Sequence, residues 1–256
     1  MKMSRFVRCL AVLAVVVACA GLSGARGDAY LKQIRNTEAT QVMGQQVPAK
    51  ADTTLIWFSE KAARMDSGDG TTVILKADKN TVYMLDHKDR TYVELPLDQA
   101  GLMGALAPEG ASEEDAQAAE MMKQMVATMM ANTQVTVTPT EERKKIREWN
   151  TRKYMLEIKM PMGTASSEVW ASPEVKIDAR LFQKLNLAAS GMLGDMEKMT
   201  KEMEKIDGME VYSSTVVDMM GNKVKSTSEL IEYGQKSAPA GGYELPQGYT
   251  KTKLGH

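Results

Sequence analysis

The segment from Thr71 to Leu97 constrains the fold more than any other stretch of this chain. β-Branched and aromatic residues cluster in three short runs within it, Thr71 to Leu75, Thr81 to Leu85 and Thr91 to Leu95. The residues between these runs are rich in Asp, Asn and Lys, which suits tight polar turns. The segment therefore predicts a three-stranded antiparallel meander, and one face of such a meander must be covered by other parts of the chain.

The N-terminus has the three-part pattern of a secretory signal. The basic residues Lys2, Arg5 and Arg8 precede an apolar run from Leu10 to Ala18, and small residues follow from Gly21 to Ala25. The apolar run is only about half of the ~20 residues that a membrane-spanning helix needs. The pattern therefore predicts an exported protein.

Two processing sites within this leader predict different fates. Small residues in Ala25-Arg26-Gly27 fit ordinary signal peptidase, which would remove residues 1–27 and release a periplasmic chain of residues 28–256. The run from Val16 to Cys19 resembles a bacterial lipobox instead. Residues 1–18 would then be the signal, and Cys19 would be acylated and tether the protein to the outer membrane, facing the periplasm. Both alternatives remain open at this point.

The composition narrows the class of protein further. Both cysteines, Cys9 and Cys19, lie in the leader, so a chain that starts at Asp28 is held together by burial alone. The roughly 229 remaining residues are enough for one domain. Loss of the four basic residues of the leader changes the formal net charge from -1 to -5, which argues against nucleic acid as a partner.

The rest of the sequence predicts strands interrupted by two methionine-rich helices. Methionines recur every three or four residues in both helical segments, so each should bury one stripe. The predicted class is α+β, with a strongly curved antiparallel sheet, or half-barrel, and two Met-rich helices on its concave face. The predicted strands are 28–44, 52–59, 61–66, 71–75, 81–85, 91–95, 133–138, 152–160, 164–171, 209–219 and 223–233, and the predicted helices are 112–131 and 178–206.

Several segments together resemble a secreted bacterial family of unknown function. These are the signal-like leader, Asp28-Ala29-Tyr30, the run VYMLDHKDRTYVELPL, the block from Val135 to Tyr154, SEVWAS from Ser167 to Ser172, and YELPQGY from Tyr243 to Tyr249. That family is similar in layout to the periplasmic lipoprotein-localisation carriers. The resemblance implies a curved antiparallel sheet that encloses an apolar cavity for acyl chains, with a lipid or an acylated protein as partner.

Nineteen methionines follow residue 27, and they allow three interpretations. Flexible thioethers form adaptable apolar surfaces for ligands, they also fill cores, and their sulfur suits Cu(I). The candidate ligand-binding residues are Trp57, Met122, Met125, Met129, Met192, Met196 and Met199. Copper is the weakest interpretation, because His87 lies in a charged turn and His256 is terminal. We therefore assign no metal site and no cofactor.

The sequence favours a binding protein over an enzyme. No cysteine nucleophile follows the leader, and His87 is the only internal imidazole. No pair of carboxylates is set apart for acid and base catalysis. We therefore predict non-enzymatic binding of an apolar or acyl-chain ligand in the envelope, in a role similar to that of a lipid or lipoprotein carrier. The alternative is a structural or protein-interaction module with a filled core.

Overall fold

The structure, a computed structural model, describes residues 28–42, 45–97, 120, 121, 124, 128, 132–161, 163–189, 201–219 and 221–252. Strands dominate these residues. In chain order they are β1 (Ala29–Thr37), β2 (Thr40–Val42), β3 (Gln45–Val47), β4 (Lys50–Phe58), β5 (Ala62–Ser67), β6 (Thr71–Lys76), β7 (Thr81–Asp86), β8 (Thr91–Pro96), β9 (Gln134–Ile146), β10 (Trp149–Met160), β11 (Gly163–Ser172), β12 (Met209–Met219), β13 (Asn222–Gln235) and β14 (Thr250–Lys251).

Twelve of these strands form one open sheet, in the order β14-β8-β7-β6-β5-β4-β1-β13-β12-β11-β10-β9. All pairings are antiparallel except that of β14 with β8, which is parallel. Strands β2 and β3 form a separate two-stranded hairpin. The predicted meander is confirmed as β6, β7 and β8.

Strand β1 joins the two halves of the sheet. It pairs with β4 along one edge, where Leu31 faces Ile56, and with β13 along the other, where Gln33 faces Leu230. Strands β4 to β8, with β14 at the edge, extend one half, and β9 to β13 form the other. Consequently residues near the start of the chain hold together two meanders that are distant in sequence.

Alternation along the strands gives the sheet two chemically different faces. The apolar face carries the main core, in which Leu31, Ile56, Leu75, Val211 and Leu230 are buried. The opposite face, here called the tail face, is covered in its N-terminal half by the segment 236–252. Side chains point alternately to the two faces, so neighbours such as Ile56 and Trp57 lie on different sides.

One helix, α1 (Ala179–Ala189), packs on the apolar face against β5 and β6. Asp178 caps it, because its Oδ1 accepts the Leu181 N–H at 3.0 Å. Leu181, Leu185 and Ala188 recur at three- and four-residue spacing and enter the main core. At 1.5 Å per residue the helix is about 16 Å long, which corresponds to roughly three or four strands of the sheet.

The predicted α+β class, with two long Met-rich helices on a concave face, is wrong for the residues that the structure describes. These residues are mostly strand, and the described part of the second predicted helix contains α1 and a short helical turn at 201–203. Strand pairing accounts for one further difference from the prediction, the length of β9. The charged run from Glu141 to Lys145 lies outside the predicted strands, yet it continues β9 to Ile146, because Arg143, Lys144 and Lys145 pair with β10 beyond a register shift.

Most of the methionines behind the helix prediction lie outside the described residues. This holds for Met122, Met125, Met129, Met192, Met196 and Met199, and also for the leader with Cys19. The described positions 120, 121, 124 and 128 are helical and exposed, and Met121 is 73% exposed. None of the helices in the described ranges combines the length and apolarity needed to cross a membrane.

Candidate functional site

The hairpin of β9 and β10 brings three cations to one side of the sheet. Arg143 lies directly opposite Arg152 in the strand register, and Lys145 lies opposite Asn150. Positions 143 and 145 share a face because they are two residues apart in a strand. These charges of β9, which lie outside the predicted strands, therefore form a basic surface on a pair of hydrogen-bonded strands.

This basic surface is one wall of a groove with a volume of about 370 Å³. The other wall is formed by residues that follow β11 and precede β12. The groove is lined by Arg143, Lys144, Lys145, Asn150, Thr151, Arg152, Tyr154, Pro173, Glu174 and Asp207.

Gly208 sets the position of the second wall. Its φ is +94°, and an added Cβ would lie 2.2 Å from the carbonyl of Ser172, so only glycine fits this close approach. The backbone of this segment thereby lies against the end of β11, which places Asp207 near Pro173 and Glu174. The Glu174 carboxylate accepts a hydrogen bond from the Asn150 side-chain amide at 2.8 Å.

Glu202 ties the segment before β12 to the edge strand of the sheet. Its Oε2 accepts the Val137 N–H at 2.9 Å, and its carboxylate pairs with the Lys205 ammonium at 2.7 Å. The Lys205 hydrogen bond and the Val137 N–H hold the pKa of Glu202 below its ordinary value. The carboxylate is therefore charged at neutral pH. In this form it accepts a hydrogen bond from a backbone N–H on the edge strand β9.

Tyr154 forms the floor of the groove and connects it to an apolar cluster. The residue is 1% exposed, and its hydroxyl accepts the Asp207 N–H at 3.1 Å. The cluster consists of Val137, Tyr154, Val169 and Ala171, with Leu156, Met203 and Ile206 partly buried against it. Charged and apolar surfaces thus meet at one buried aromatic ring.

The other side of the same hairpin carries a different cluster. The Lys144 ammonium lies 3.8 Å from the centroid of the Trp170 ring, and Lys153 lies 5.8 Å from it. The Lys153 ammonium also pairs with Glu142 and Glu168, and their hydrogen bonds raise its pKa. Lys144 therefore lines the groove without placing its charge there.

Among the residues predicted from sequence to bind ligand, the described one is Trp57. It is 4% exposed, lies on the tail face and packs against Tyr30 with ring centroids 5.4 Å apart. Its indole nitrogen is buried and has no hydrogen-bond partner within the described structure. The structure does not bring Trp57 next to the groove, and its role in ligand binding stays a prediction.

His87 takes part in a hydrogen-bonded chain across the tail face. Its Nδ1 lies 2.6 Å from the Tyr249 hydroxyl, and its Nε2 lies 2.8 Å from Oγ1 of Thr72. Because Thr72 donates its own proton to Asp66, Nε2 of His87 must donate to Thr72. The imidazole, predicted to be a solvated turn residue, thus fastens the C-terminal segment to the sheet.

The basic groove could have been recognised in the sequence from one signal. Arg143 and Lys145 alternate within a run that also contains the β-branched Thr140 and Ile146, which is compatible with a strand. The acidic wall carries no such signal, because Glu174 and Asp207 are brought together only by the packing of two connections. In the described parts of the chain, no group of three or more His, Cys, Asp or Glu side chains is arranged to hold a metal ion.

No family model matches the sequence, and no curated protein matches it. A solved structure of PNGF-II in the C2 space group aligns with 89% of this chain, with a TM-score of 0.40 and 11% sequence identity. The chain spans 31% of the length of that protein. A likeness this distant does not bear on fold or function.

Proposed function

We propose that this protein binds an amphipathic, acyl-bearing ligand in the bacterial cell envelope without transforming it. The observation that carries the proposal is the double role of Tyr154, which lines the charged groove and belongs to the apolar cluster. A ligand lying across this residue would place a polar group in the groove and hydrocarbon on the cluster. Amphipathic molecules are the class that needs both surfaces side by side.

The one-sided character of the sheet supports the same proposal. The apolar face runs from Leu95 on β8 to Val137 on β9, across most of the sheet. Helix α1 packs against the part near β4, β5 and β6. The cluster around Tyr154 lies toward the other edge, where half-buried Leu156 and Ile206 border it. An acyl chain could extend the contacts that these side chains already make.

The direct test is recovery of the protein with its ligand. Gentle purification from the envelope, native mass spectrometry and organic extraction should reveal a bound acyl compound. If the recovered protein carries no acyl compound and also fails to bind a fluorescent fatty acid, the proposal is wrong, and the interaction-module alternative takes its place.

A matched pair of variants locates the site. Leu156→Asn places an amide on the apolar cluster, whereas Met155→Asn changes the adjacent, 38% exposed residue on the opposite face of the same strand. We expect Leu156→Asn to lose fatty-acid binding and Met155→Asn to retain it, with circular dichroism as a check that both fold. Equal binding by the two variants would place the ligand elsewhere.

A further inference from the structure

The two walls of the groove carry charges of opposite sign. Arg143, Lys145 and Arg152 form the basic wall, and all three belong to the β9–β10 hairpin. Glu174 and Asp207 form the acidic wall, on the connections after β11 and before β12. Hairpin and connections meet where Asn150 donates to the Glu174 carboxylate and the Asp207 N–H donates to the Tyr154 hydroxyl, so both walls line one groove.

These opposite charges do not neutralise one another across the groove. Arg152 pairs with Glu141 at 3.0 Å and donates from Nε to the Thr140 carbonyl at 2.7 Å, both on its own hairpin. Within the described residues, no salt bridge joins the basic wall to the acidic wall. Facing walls of opposite charge that do not pair leave room for a ligand that carries both signs.

We propose that the groove binds a phosphate–ammonium zwitterion, the chemistry of a phosphoethanolamine group. The phosphate would lie against the basic wall, where arginine offers paired N–H donors that match phosphate oxygens. The ammonium would lie against Glu174 and Asp207. This inference rests on the proposed function in one respect, namely that the zwitterion is the head group of the acyl-bearing ligand.

Two further features of the site fit this ligand. Arg143 and Arg152 are like charges directly opposite each other, an arrangement that costs stability in the free protein and that a bound phosphate would relieve. The Tyr154 hydroxyl accepts the Asp207 N–H, so its own proton is available to a phosphate oxygen. The groove volume of about 370 Å³ suits a head group, with hydrocarbon left to the adjoining cluster.

The test uses two double variants that each remove one wall. Arg143→Ala with Lys145→Ala removes basic groups that form no ion pair in the described structure, and Glu174→Gln with Asp207→Asn removes the acidic charges. The controls change the same charges in exposed turns at the other end of the sheet, with Lys79→Ala and Lys88→Ala for the first, and Asp78→Asn and Asp89→Asn for the second.

Two soluble probes and two kinds of vesicle distinguish the possibilities. Binding of O-phosphoethanolamine, inorganic phosphate and vesicles containing phosphatidylethanolamine or phosphatidylglycerol is measured by calorimetry and flotation. We expect the basic-wall variant to weaken binding of O-phosphoethanolamine about tenfold or more, as loss of charge-assisted hydrogen bonds requires. The acidic-wall variant should weaken O-phosphoethanolamine similarly but strengthen inorganic phosphate, while both controls behave as wild type.

The outcomes separate this inference from the proposed function. If the acidic-wall variant binds O-phosphoethanolamine more tightly, the groove is a simple anion site and the zwitterion proposal is overturned. The same holds if neither wall variant changes binding. Binding of free O-phosphoethanolamine by a protein that carries no acyl compound and does not bind a fluorescent fatty acid supports the zwitterion site and overturns the acyl-ligand proposal. A preference for phosphatidylethanolamine over phosphatidylglycerol vesicles identifies the lipid as the source.

Discussion

Glu210 on β12 is a carboxylate in an unfavourable place. The residue as a whole is half-buried, yet burial of its carboxylate raises its pKa above the ordinary value of 4.5, while the Ser213 hydroxyl, Arg35 and Ser228 oppose the rise. The folded protein therefore holds this proton more tightly than the unfolded chain, so stability falls as pH rises from about 4.5 through the folded pKa.

Glu210→Gln should remove this cost while keeping an oxygen for the Ser213 hydroxyl, which donates to Glu210 at 2.7 Å. We expect a higher free energy of unfolding than wild type at pH 7, with the difference disappearing as pH falls below the unfolded pKa. Urea titrations at pH 7 and pH 4 measure both values. A gain of equal size at both pH values would mean that the carboxylate charge is not the cause.

The opposed arginines of the groove provide a second test at this scale. Arg143→Gln removes one of two like charges that face each other, so it should raise the free energy of unfolding by roughly 0.2–1 kcal/mol. High salt should reduce this gain by screening. Lys145→Gln is the matched control, because Lys145 faces the uncharged Asn150. Equal stabilisation by the two substitutions would attribute the effect to net charge alone.

Among the elements, the C-terminal segment acts as a cover for the tail face. Arg64 donates to the Gly242 carbonyl at 2.7 Å, and β14 extends the sheet beside β8. The Lys236 ammonium lies 4.7 Å from the centroid of the Tyr30 ring. Tyr30 and Trp57 lie on the tail face in the half of the sheet that this segment covers, and they are buried, with 3% and 4% of their surfaces exposed.

Tyr243→Ala should loosen this segment. The ring is half-buried and its hydroxyl oxygen is buried, so its removal is expected to cost about 2 kcal/mol of unfolding free energy. Trypsin should then cleave faster after Lys236. Tyr249→Phe, which removes only the hydroxyl bound to His87, should cost about 1 kcal/mol. Unchanged cleavage in Tyr243→Ala would show that the other contacts are sufficient to hold the segment.

For the whole molecule, β1 determines whether the two halves of the sheet unfold together. Leu31 on this strand is fully buried, and Leu31→Ala should lower the free energy of unfolding by about 2–5 kcal/mol. Variants that retain only Trp57 or only Trp170 report on the two halves separately. We expect both reporters to shift to the same lower midpoint, because β1 pairs with β4 and with β13.

Two separated transitions would contradict this expectation and would mean that each meander is stable alone. Much of the pairing in the sheet links residues distant in sequence, so we also expect slow refolding. The groove lies in the half formed by β9 to β13, and a shared transition would couple ligand binding to the stability of the other half.

Alternating apolar residues and turn residues were sufficient to predict most strands. The bounds of β4, β6 and β7 differ from the prediction by one or two residues, and those of β12 coincide with it; Gly221, with a φ of 82°, lies between the predicted strands 209–219 and 223–233. β9 was longer than predicted, because charges occupy both faces of an edge strand and hide its period. The Met pattern favoured two long helices, and the described residues contain α1 in place of the second.

Local side-chain pattern by itself determined most of the strands and turns, because these depend on residues a few positions apart. Tertiary structure decided which strands are neighbours, which half of the tail face is covered, and that Glu174 and Asp207 face a basic hairpin. Those features arise when segments far apart in the chain pack against one another, and the short-range periodicity of a sequence carries no record of such contacts.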